Sequence, residues 1–287
     1  MSRRIEAYER LGRSDDDDEP EDDDRRGRRA RKNEPVVLLD DPRFVVVSKP
    51  AGMGTIPDRF RVDEPTAIDE TERVLRRSDP AAPRPIVVHR LDRDTSGVLL
   101  LAKDEDAAKD LMAQFEAREV SKSYLALTTG APQPPSGHVS IRVEESSKKK
   151  GAMQIVTRGG KACESDYETV ETYRGVALVR VRPTTGRTHQ VRLTLLSLGT
   201  PCAIDPLYGS LEPLLLSTWK RDYRLGKFAE EPPLIDRLTL HAESIEFRRP
   251  GADPADPAAR VRVEAPPSRD FETAVRQLRR WGAPGTL

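Results

Sequence analysis

The chain has 287 residues, 36% of them apolar and 33% charged, and its 48 basic and 48 acidic side chains cancel to a formal net charge of zero. That length allows one large domain or two small ones with a substantial core. No apolar run approaches the ~20 residues that span a bilayer, and the charged N-terminus holds no secretory apolar segment, so a soluble, cytoplasmic protein is expected. The charge is unevenly spread. Residues 1–34 hold 10 basic and 12 acidic residues in separate blocks, including "DDDDEPEDDDRRGRRARK". Such blocks repel themselves and have nothing to bury, so this segment is expected to be a disordered arm. The remainder is close to neutral. It does not advertise a nucleic-acid partner, yet a local basic groove is enough to hold phosphates. Cys163 and Cys202 have neither metal nor redox spacing and read as reduced, buried thiols.

Folded structure is expected from Pro35 to Leu287 as one domain. "VVLLDDPRFVVVSKPAG" reads as two short strands around a turn, ended by Pro50 and Gly52. "DEPTAIDETERVLRRSD" holds one helix. "PIVVHRLD" reads as a strand, and "GVLLLAK" as the next, apolar enough to be covered on both faces. "DEDAAKDLMAQFEARE" has helical spacing with acid at its start. "KSYLALTTG", "GHVSIRVEE", "KACESDYETVETY" and "VALVRVRP" follow as strands. "RTHQVRLTLLSLG" is expected to be a helix from Arg187, closed by Gly199. "RLTLHAESIEFRRP" and "RVRVEAP" are late strands, and "SRDFETAVRQLRRW" is a terminal helix capped by Ser268 or Asp270. Many strands with few, separated helices imply an α+β fold on a mixed or antiparallel sheet.

Three stretches carry chemistry. In "HRLDRDTSG", Asp92 lies between Arg90 and Arg93, and nearby positive charge keeps a carboxylate ionised and available as a nucleophile. Asp94 reads as a cap for the turn that follows. In "KSY", Tyr124 sits on a strand. In "TTGRTHQVR", Arg187, Thr188, His189, Gln190 and Arg192 surround an expected helix start, where free N–H groups and guanidinium forks favour an anion.

"HRLDRDTSG" resembles the HRLDxxTSG signature of the RluA-type family of pseudouridine synthases, and five other stretches resemble the family in the same order. These are "VVLLDDPRFVVVSKPAGM", "VSKSYLAL", "GRTHQVRLTLLSLG", "TPCAIDPLYG" and "RLTLHAESIEF". The resemblance implies a mixed, largely antiparallel central sheet flanked by helices and loops. It implies Asp92 as nucleophile, Tyr124 packed on the target base and placed to assist proton removal from C5, and Arg187 paired with Asp92. Arg90 would fill the gap left by the flipped nucleotide. His89, His189, Gln190 and Arg192 are the further candidate RNA contacts, and Val191 and Leu240 the apolar walls for uracil. The implied substrate is ribosomal or transfer RNA, with no metal or other cofactor required, since the isomerisation adds and removes no atoms overall; a monomer is the default expectation. Cys202 stands where the family has Ile, Ile204 where it has Gly, and the arm replaces the S4 domain that often precedes this fold.

Rival readings are a non-catalytic RNA-binding protein of the same fold, a phosphotransferase and a metallohydrolase. Against the second, G-x-G-x-x-G, D-F-G and Walker A sequences are absent. Against the third, His89, His138, His189 and His241 have no HxH or HExxH spacing.

Overall fold

The computed structural model describes residues 34–57, 63–225 and 230–283. The expected arm falls almost wholly outside these residues. Eleven strands form one mixed sheet. They are β1 (Val36–Asp40), β2 (Phe44–Lys49), β3 (Ile86–Val87), β4 (Ser96–Ala102), β5 (Ser121–Thr129), β6 (Ser136–Glu145), β7 (Met153–Val156), β8 (Lys161–Tyr173), β9 (Val176–Pro183), β10 (Leu240–Arg248) and β11 (Arg260–Glu264). Among the described residues four α-helices accompany them: α1 (Ala67–Ser78), α2 (Glu105–Glu116), α3 (Gln190–Ser197) and α4 (Arg269–Trp281).

The main path runs β1-β2-β4-β10-β5-β9-β8-β6-β7, with β3 beside β4 and β11 beside β10. Every strand pairing is antiparallel except β4 with β10, where His241 faces Ser96 and Ala242 faces Gly97. That short parallel seam joins two antiparallel halves, as expected of a mixed, largely antiparallel sheet.

Alternation of side chains explains the apolar runs. Phe44, Val46, Val98 and Leu100 pack with Leu111 of α2 on one face. Val45, Val47, Leu99 and Leu101 pack with Ala67 and Leu75 of α1 on the other. β2 and β4 therefore have no solvent face, and each is apolar at nearly every position. In the second half, Leu125, Leu127 and Leu178 meet Phe271, Val275 and Leu278 of α4. Ala126, Val179 and Val181 meet Val191 and Leu195 of α3 on the reverse face.

Local signals set the helix ends. Thr66 and Asp69 form a reciprocal capping box at α1, and the Asp104 carboxylate accepts the Ala107 amide at α2. Gly199 follows α3 with φ +73°, the left-handed turn that glycine adopts without strain. Ser268 occupies the N-cap position of α4, but its hydroxyl binds Arg237 instead of capping, while the Asp270 carboxylate binds Arg237 and also accepts the first-turn Phe271 amide. "PIVVHRLD" forms a strand only over Ile86–Val87, and β7 is an element the sequence reading did not contain.

Candidate active site

Asp92 lies on the connection from β3 to β4, and that connection is pinned from several sides. Leu91 is buried, and its amide and carbonyl both bond to the buried Thr55 hydroxyl, at 3.1 and 2.9 Å. The fully buried Lys49 ammonium donates to the carbonyls of Pro50, Met53 and Arg93, at 2.9, 2.8 and 2.9 Å. Burial pushes Lys49 down to about 7 while Asp94 and Asp92 pull it back, and three carbonyl acceptors favour the charged form further. At the far end Gly97 has φ +113°, and a Cβ there would lie 2.1 Å from the Ala242 carbonyl oxygen. The Asp92 carboxylate is thus held at the mouth of β4.

The guanidinium that meets Asp92 is that of Arg192, with Nη1 3.3 Å from Oδ2. Arg192 is buried and held by Asp205 through two bonds, Nε to Oδ2 at 2.7 Å and Nη2 to Oδ1 at 2.6 Å. It also lies over the Tyr208 ring, 4.9 Å from the centroid. Burial would lower the Arg192 pKa, but the Asp205 carboxylate outweighs it and raises it, so the charge is permanent. Arg187, expected in this place, instead donates from Nε to the Ala162 carbonyl at 3.0 Å. The reason is the start of α3. The helix begins at Gln190 rather than Arg187, and Arg192, in its first turn, points back toward the N-terminal end, where Asp92 lies.

Two expected RNA contacts are committed to protein. Gln190 is buried and uses all four of its bonding positions. Its carbonyl accepts from Thr185 Oγ1 and the Arg187 amide, and its amide donates to the Glu164 carbonyl and Ser165 Oγ. His89 Nε2 accepts the Leu100 amide at 3.0 Å, taking the place of a strand partner where β3 stops. Its ring stacks on Phe115 at 4.9 Å, and burial, reinforced by Lys122, pushes its pKa down to about 3. Arg90 is exposed at the rim. His189 Nδ1 lies 2.8 Å from the Tyr208 hydroxyl, and its Nε2 lies 3.9 Å from Asp92 Oδ2.

A cavity of about 570 Å³ brings Asp92, Tyr124, Arg187 and His189 together, with Val191 and Leu240 also on its wall. That volume falls in the range of ligand sites. Burial first, then the Asp92 charge, pushes the Tyr124 phenol up, so it is protonated at neutral pH. Among the described residues no group of three His, Cys, Asp or Glu side chains is placed to hold a metal ion.

Residues 43–197 match the family model described as RNA pseudouridylate synthase. The chain belongs to the RluA-type family of RNA pseudouridine synthases. Members of this family are isomerases that act on RNA. The chain is 34% identical to Ribosomal large subunit pseudouridine synthase C of Escherichia coli K12, over 85% of this chain and 70% of that one. It is 31% identical to the Dual-specificity RNA pseudouridine synthase RluA of the same organism, over 75% and 87%. It is also 36% identical to the chloroplastic RNA pseudouridine synthase 2 of Arabidopsis thaliana, over 70% of this chain, and spans about half (48%) of that protein. The structure called Human RNA Pseudouridylate Synthase Domain Containing 4 superposes with TM-score 0.62 and 25% identity, over 85% of this chain and 93% of that one.

The pseudouridine synthase motifs made Asp92 and Tyr124 visible in the sequence. Asp205 and Tyr208 join the site through Arg192, and the sequence reading does not single them out within "DPLYG". Their signal was a buried acid and an aromatic shortly after the helix bearing Arg192.

Proposed function

We propose that the chain converts specific uridines of ribosomal or transfer RNA into pseudouridine, with residues 35–287 as the catalytic domain and Asp92 as the reacting carboxylate. One observation carries this reading: Asp92, Tyr124, Val191 and Leu240 share one cavity while Arg192 meets Asp92. The reaction breaks the bond from uracil N1 to ribose C1′ and forms one from C5 to C1′. The proton leaves C5 and one is gained at N1. A guanidinium-paired carboxylate suits attack on the sugar or on the base, and equally a glycal route.

The cleaved base must turn over without escaping. Two buried aliphatic walls and the face of Tyr124 suit that. Tyr124 enters as a neutral phenol, which suits packing; proton removal from C5 would need a phenolate that burial and Asp92 both oppose. Stacked RNA hides the target atoms, so the nucleotide must flip out at a cost of roughly a few kcal/mol. Arg90, exposed at the rim, would fill the vacated stack. The name of the Escherichia coli relative at 34% identity makes large-subunit ribosomal RNA the first substrate to test. The two cysteines are buried and free, which fits a reducing, cytoplasmic setting, and no contact in the reading requires more than one copy of the chain.

The test compares pseudouridine maps of total RNA from cells with the protein, without it, and with Asp92→Asn only. Sites present with the wild type and lost in both other strains are expected. Sites that persist with Asp92→Asn would remove Asp92 from the chemistry, and three identical maps would remove the function.

A further inference from the structure

Tyr208 joins three segments. Its oxygen accepts the Met153 amide at the start of β7, at 2.7 Å, and lies 2.8 Å from His189 Nδ1. A phenol has one proton to give. With Met153 supplying one accepted hydrogen, that proton is available to Nδ1, which would leave the imidazole's own proton on Nε2. Nε2 faces Asp92 Oδ2 at 3.9 Å. The other tautomer would set a lone pair against a carboxylate. Both sides of the ring therefore favour the same form.

The backbone at His189 is equally specific. It sits at φ 55°, ψ 21°, the left-handed region that non-glycine residues rarely occupy, and its side chain makes no cap bond to α3. A residue free to relax would take an ordinary N-cap conformation. Here the side chain is turned instead between Tyr208 and Asp92. Tyr208 is itself braced: Lys149 Nζ donates to the carbonyls of Pro206 and Leu207, at 3.3 and 3.0 Å, and the Asp205 carboxylate accepts the Tyr208 amide at 3.1 Å.

We propose that His189 is a positioning residue, held by Tyr208 in its Nε2–H form so that a neutral donor stands beside Arg192 at Oδ2 of Asp92 and Oδ1 is left facing the substrate. This rests on the reading of Asp92 as the reacting carboxylate. It also moves His189 from a contact with RNA to a contact with the carboxylate.

The charged groups around His189 are the Asp92 and Asp205 carboxylates and the Arg192 and Arg90 guanidiniums; burial is the largest influence and lowers the ring's pKa. Removing the Tyr208 hydroxyl deletes the donor to Nδ1 and leaves both carboxylates in place. The ring would then protonate more readily, and an imidazolium would tie up Asp92 as an ion pair.

The experiment has two arms. In the first, the pH dependence of kcat on RNA is measured for wild type, Tyr208→Phe, His189→Gln and the double variant. Tyr208→Phe is expected to lower kcat about tenfold below neutrality with KM unchanged, and to move the acid limb up by about one pH unit. His189→Gln should abolish that movement in the double variant. In the second, the imidazole 15N spectrum of the wild-type chain is recorded, the His189 signal being the one lost in His189→Gln. A protonated Nε2 and a bare Nδ1 are expected. A protonated Nδ1, or a limb shift that survives in the double variant, overturns the proposal. The spectrum needs no turnover, so a chain with the expected tautomer and no activity on RNA would overturn the function reading, and the positioning role with it.

Discussion

Arg192 and Arg187 stand on the same short stretch, yet their surroundings differ in kind. Arg192 is buried between two carboxylates, one of them, Asp205, fully buried. Removing its charge strands Asp205 in the interior. Breaking a buried pair from one side costs about 3–5 kcal/mol, whereas Arg187 bonds by its side chain to a single neutral carbonyl, a charge-assisted contact worth about 1.5–3 kcal/mol. Arg192→Met is therefore expected to lose more unfolding free energy than Arg187→Met in urea titrations; equal losses would contradict the burial and pairing described. The same pair shows how far the sequence could be read at this scale. Asp92 and Tyr124 were legible because their motifs are dense in specified residues. Which arginine meets Asp92 was not, because that depends on where α3 begins. Nothing in "TTGRTHQVR" announces that His189 turns left-handed and delays the first helical turn to Gln190.

At the scale of elements, the apolar runs of β2 and β4 were legible because both sheet faces are covered, which removes the alternation that a half-exposed strand would show. β7 was not legible, since four residues in a hairpin give too few positions for a period to register. β3 was overread: after Val87 the chain leaves the sheet, and the His89 ring takes up the Leu100 amide in its place. The start of β4 yields a sharp expectation. Gly97 needs both its positive φ and its missing side chain, because a Cβ would meet the carbonyl of Ala242 in the neighbouring strand. Left-handed strain of about 1–3 kcal/mol and overpacking of about 1–3 kcal/mol act together here. Gly97→Ala is expected to lower stability by about 2–6 kcal/mol on those grounds; a denaturation midpoint unchanged from wild type would mean that β4 and β10 do not approach as described.

For the molecule as a whole, acid should act through two histidines, His89, half-buried, and His241, fully buried. His89 is pushed down to about 3, and His241, fully buried between Ser96 Oγ and the Ala265 carbonyl, is also lowered, burial being the main cause in both. In the unfolded chain each protonates near pH ~6.5. Below that pH the unfolded state takes up protons that the fold refuses. The contribution is complete above about pH 6.5 and is lost progressively as pH falls toward about 3. Urea midpoints are expected to drop between pH ~7 and ~5, before most carboxylates titrate; a flat line across that interval would show that both rings accept protons in the folded state.

The two-residue seam between β4 and β10 also bears on how the protein is made. Its partners lie near residues 97 and 242, so the first antiparallel half emerges from the ribosome long before the strand that locks the start of β4. Local hairpins form early, and distant pairings wait for the chain that supplies them. Arg192 and Asp205 also arrive well after Asp92. A growing polypeptide therefore carries Asp92 apart from its guanidinium partner, and β4 apart from β10, until those later segments have been made.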